Sequence, residues 1–144
     1  MAKRNIPSSK TEEPPKAQSK KPMTEYQKVD WMYYALGDLI VNSLDYNRER
    51  MCMRLARLSD GIKRIKDDRE KNAGVFVNEQ YKARHDKVVG HLSSCVTQLT
   101  DAWQWSMKMR NAETCDCIRT AQDILGELIK EELLYTELPD EDEQ

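Results

Sequence analysis

Apolar residues between Thr24 and Lys71 recur every three or four positions: Val29, Tyr33, Leu36, Ile40, Leu44, Met51, Leu55, Leu58, Ile62 and Ile65. At about 100° per residue these side chains share one arc, which predicts a long amphipathic helix over 24–71. The one step of seven falls between Leu44 and Met51, where Asn47 stands. Thr24, with Gln27 three residues on and Pro22 before it, reads as a capping box and sets the start. Asp60-Gly61 favours a turn, but the apolar phase passes through it unshifted. The helix is therefore expected to continue there, with Gly61 costing about 1 kcal/mol relative to alanine.

The early part of this helix is apolar on more than one side. Trp31, Tyr34, Leu39 and Val41 stand off the main stripe, and such a segment is buried all round. Two readings follow: the centre of a helical bundle, or a surface that another polypeptide covers. The run from Trp31 to Leu44 contains Asp38 and falls short of the roughly 20 apolar residues that a membrane span needs.

Asn72-Ala73-Gly74 reads as a loop, and Asn78 as the N-cap of a second helix over 78–110. Tyr81, Val88, Val89, Leu92, Cys95, Val96, Leu99, Trp103 and Met107 form its stripe, from which Trp105 points away. Beyond it, Arg110, Asn111 and Thr114 interrupt the pattern, and Ile118, Ala121, Leu125, Leu128 and Ile129 resume it. Either a turn at Asn111–Thr114, capped by Asn111 or Thr114, starts a third helix over 112–136, or one helix runs on. The turn is favoured, because three helices cover the early apolar segment better than a hairpin does. The expected fold is all-α: a long antiparallel helical hairpin with a shorter third helix, a three-helix, coiled-coil-like bundle.

Composition adds the ends and the compartment. Residues 1–23 carry four of the five prolines and a charge of +4 with no apolar periodicity, and are expected to be a disordered basic tail. Pro139 stops the last helix, and 137–144 reads as an acidic disordered tail. No apolar run near the N-terminus suggests a signal peptide, and the four cysteines are too sparse for a disulfide scaffold. An intracellular address, cytoplasm or nucleus, is the expectation.

The candidate chemistry is thin. Cys115-Asp116-Cys117 places one residue between its thiols, whereas zinc pairs commonly use two to four. His85 and His91 lie on different faces of one helix, and no phosphate loop or nucleophile elbow is present. No enzyme activity, metal or cofactor is expected. Large apolar residues off their own stripes, Trp31, Tyr34, Leu39, Val41 and Trp105, are the candidate partner interface. They imply a non-catalytic helical module that self-associates as a dimer or docks into a larger assembly. The alternative is nucleic-acid binding. Between Arg48 and His91 there are 12 Lys and Arg against 7 Asp and Glu. A hairpin would gather Arg50, Arg54, Arg57, Arg64, Lys82 and Lys87 into one basic pole for phosphates. Acidic residues of the third helix, lying beside it, would mask that pole.

Overall fold

The computed structural model describes residues 22–71 and 78–134. The loop at Asn72–Gly74 and nearly all of both tails lie outside the described residues. The described chain is all-helical, with four helices rather than three. These are α1 (Glu25–Val41), α2 (Arg48–Lys71), α3 (Glu79–Met107) and α4 (Asn111–Lys130). A 3₁₀ turn, Ser43–Asp45, separates α1 from α2.

The expected first helix is thus two helices, and the cause is local. Asn42 donates its side-chain amide to the Asp38 carbonyl, while Asn47 accepts the Arg50 N–H at 2.8 Å and caps α2. Asn, Ser and Asp bond to nearby backbone in non-helical conformations, so the cluster from Asn42 to Asn47 ends one helix and begins another. The break frees α1 from the phase of α2. Val29, Met32, Leu36 and Leu39 face the core, whereas Tyr33 and Ile40 are half-buried and Leu44 is exposed. Gly61 lies within α2, which passes through it without a turn.

Helix α3 begins on Asn78, whose side chain accepts the Tyr81 N–H at 3.0 Å. It ends in a Schellman turn. The Arg110 N–H reaches the Trp105 carbonyl, the Met109 N–H reaches Ser106, and Met109 takes the left-handed conformation at φ 58°. The break therefore falls at Lys108–Arg110, just before the expected Asn111–Thr114. Neither Asn111 nor Thr114 caps α4: the N-cap residue is Arg110, and the Thr114 hydroxyl donates to its carbonyl. A second Schellman turn closes α4, with Glu132 at φ 53° and the Leu133 N–H on the Leu128 carbonyl.

Cross-helix pairs give the topology. Met32 meets Gly61 and Glu25 meets Arg69, so α1 and α2 are antiparallel. Cys52 meets Ser106 for α2 and α3, and the Cys95 thiol donates to the Ala121 carbonyl for α3 and α4. Gln122 donates to the Tyr33 carbonyl at 3.0 Å, and Gly126 lets the Tyr33 ring lie against α4. The helices run up, down, up, down, with α3 packed on α2 and α4, and α1 packed mainly on α4. Buried residues of α3 step by three and four from His85 through Val88, Leu92, Cys95, Leu99 and Ala102 to Ser106. Those of α2 do the same from Met51 through Leu55, Leu58, Ile62 and Ile65 to Arg69, with Cys52 buried beside the row. Heptad spacing of this kind packs side chains as knobs into holes.

Candidate interaction surfaces

The outer face of α1 carries a line of large apolar residues in water. Trp31 is 59 % exposed, Tyr34 64 % and Val41 82 %, with Asp38 between the last two. They sit three, seven and ten residues along one helix, hence on one side of it. The Tyr33 ring holds Tyr34 edge-on at 5.4 Å, so the exposed ring is supported from behind. Leu39 does not belong to this line. It is wholly buried in its own chain's core, because the break before α2 turned that side of α1 inward. Trp105 is half-buried, with Lys108 and Arg110 over its ring at 5.3 and 5.6 Å. Trp103, which the pattern placed on the core arc, is the more exposed of the two tryptophans.

A second surface has no counterpart in the apolar pattern of the sequence. At the end of the bundle where α1 stops, the 3₁₀ turn, the starts of α2 and α4 and the end of α3 surround two adjoining cavities. One is about 240 Å³ and the other about 560 Å³, and both are lined by Asn47, Arg48 and Met109. Leu44, 88 % exposed, borders the first cavity, and Met107 borders the second. Sequence periodicity hid this groove, since it assigned Leu44 and Met107 to core stripes. Met109 sits where a glycine is usual, so no turn signal marked the place.

The expected basic pole is not gathered. Arg50, Arg54, Arg57, Arg64, Lys82 and Lys87 are all exposed, but α2 and α3 run in opposite directions. Arg50 and Arg54 lie at the Ser106 end, and Lys82 and Lys87 at the opposite end, roughly 30 Å away along the bundle. Arg57 and Arg64 fall between. The reason is helix rise: Arg50 stands 21 residues before Lys71 on α2, so an antiparallel pair spreads the set along its length instead of gathering it at one end. Helix α4 packs on α3 and α1, not along the α2 flank that its acids were expected to mask. It neutralises one cation of the set, since Lys87 pairs with Glu131 and holds that carboxyl below its ordinary range by hydrogen bonding. Lys82 pairs with Asp86 along its own helix, and that bond raises its pKa.

Reactive side chains do not converge. Among the described residues, no group of three His, Cys, Asp or Glu is placed to hold a metal ion. Burial pushes the Cys95 thiol up to about 12, so it is a neutral core group. Cys117 is also raised, by burial first and then by Asp101 and Asp116. No helix is long and apolar enough to cross a membrane among the described residues. No known protein family, curated protein or solved structure matches the chain.

Proposed function

We propose that the protein is a non-catalytic helical interaction module that pairs with a second copy of itself through the outer face of α1. The observation that carries this is the exposed line Trp31, Tyr34, Val41 on one helix face. The two rings, each about three-fifths exposed, offer on the order of 250 Å² between them. With Val41 this approaches the few hundred Å² at which apolar patches on monomers are often functional.

The line is also self-complementary. Trp31 and Val41 are equally far from Leu36, and so are Tyr34 and Asp38. Two α1 helices laid antiparallel about that point would set each Trp31 against the other copy's Val41. The Tyr34 hydroxyl would then donate to the other copy's Asp38 carboxylate. A two-fold interface requires this reciprocity, because both copies contribute the same patch. As part of the same reading the protein works in a reducing cytoplasm or nucleus, where its four free cysteines persist as thiols.

Multi-angle light scattering tests the proposal. The wild type should have the mass of a dimer, and the Trp31→Gln/Val41→Gln variant the mass of a monomer with unchanged helical circular dichroism. Wild-type protein that stays monomeric at high micromolar concentration would refute it.

A further inference from the structure

The groove at the end of the bundle combines an apolar floor, a basic rim and a strained residue. Met51 forms part of the floor, and Leu44, Met107 and Met109 stand around it. Met109 is 72 % exposed and held at φ 58°, a conformation that costs a side-chain-bearing residue free energy that glycine would not incur. The fold gains little burial from this methionine. Its flexible thioether is the kind of side chain that adapts to a docked apolar group.

The rim is cationic. Arg48 borders both cavities, Arg50 and Arg54 lie at 5.1 and 5.9 Å over the ring of Tyr46, which lines the first, and exposed Lys108 stands in the chain between the lining residues Met107 and Met109. None of these four makes an ion pair among the described residues, whereas Arg110 is matched by Glu113. Glu49 lines the second cavity and Asp45 precedes Tyr46 in the chain, two carboxylates against four cations. The first turn of α4 opens on the same cavity without a side-chain cap. The aromatic ring that lines the groove, Tyr46, already carries cations at its face, so it is not a free platform for a nucleic-acid base.

We infer that this groove docks an acidic amphipathic helix from a partner protein. An apolar residue of the partner enters between Leu44 and Met109, and carboxylates on its flanks meet Arg48, Arg50, Arg54 and Lys108. Helix-in-groove recognition of this type takes apolar anchors one helical turn apart and reads the flanking charge for specificity. The surface is separate from the α1 face, so it does not depend on self-pairing.

Fluorescence anisotropy with a synthetic peptide decides the matter. The probe is a labelled helix of about 16 residues with Leu at i, i+3, i+4 and i+7 and Glu at most other positions. It should bind the full chain, and the same peptide with Lys in place of Glu should bind at least about tenfold more weakly. Arg48→Glu/Lys108→Glu and Leu44→Ser should each weaken the Glu peptide about tenfold. These residues are exposed, and circular dichroism should show the fold intact. The Trp31→Gln/Val41→Gln variant should bind like wild type, which separates this result from the fate of the dimer. No binding, equal binding of the Glu and Lys peptides, or displacement of the peptide by generic single-stranded RNA would each overturn the inference.

Discussion

Met32 of α1 meets α2 where α2 has no side chain: a Cβ on Gly61 would stand 2.5 Å from the Met32 methyl carbon. The glycine that looked like a helix defect is the notch into which α1 fits. Gly61→Ala should therefore change stability by less than about 0.5 kcal/mol, because the gain in helix propensity offsets the displaced methyl. Met32→Ala should cost about 2–3 kcal/mol. In that background Gly61→Ala should gain about 1 kcal/mol. Urea unfolding of the four proteins measures the coupling, and additive values would show that the methyl is no obstacle.

Met109 and Glu132 hold left-handed positions at the two Schellman turns. Met109→Gly and Glu132→Gly should each raise stability by about 1 kcal/mol, while alanine at either site should give no such gain. Thermal melts of the four variants separate the backbone effect from loss of the side chain. For Met109 the gain should come with weaker binding of the acidic peptide.

Arg69 is enclosed near the end of α2, and its Nε donates to Glu25 at 2.9 Å as one arm of a two-armed contact. Glu25 keeps some access to water, and Arg69 almost none. Glu25→Ala should accordingly cost about 3 kcal/mol, more than Arg69→Met, which leaves the carboxylate able to hydrate. A chemical-denaturation series in which the two cost the same would argue against burial of the guanidinium as the cause.

Cys95 stays protonated in the fold up to about pH 12, whereas an unfolded thiol ionises near 9. Above pH 9 the unfolded state binds fewer protons than the native one, so stability falls as pH rises. The slope from this group is about 1.4 kcal/mol per pH unit between about 9 and 12. Cys95→Ala should remove that part of the alkaline loss. In native protein, maleimide should label partly exposed Cys115 well before Cys95 or Cys52.

The all-helical character was legible because three- and four-residue spacing of apolar side chains has few other solutions. Asn78 announced the start of α3 in the same way, by its chemistry. The break between α1 and α2 was written too, in Asn42, Ser43, Asp45 and Asn47, but the unbroken apolar phase concealed it. Apolar spacing alone cannot distinguish one helix from two whose separate rows can be joined into a single stripe. The same assumption put Leu39 on the outside and Leu44 on the inside, the reverse of what packing requires. The groove could not be read at all, since it is made by four chain segments meeting at one end.

Helix α1 has 17 residues against 29 for α3, and its outer flank faces solvent. Elements with the least packing open first, so amide hydrogens of α1 should exchange by a local excursion and those of α3 only when the whole domain unravels. If a second copy covers α1, that excursion is suppressed by mass action. Amide protection across Glu25–Val41 would then climb with protein concentration while α3 remained indifferent to it.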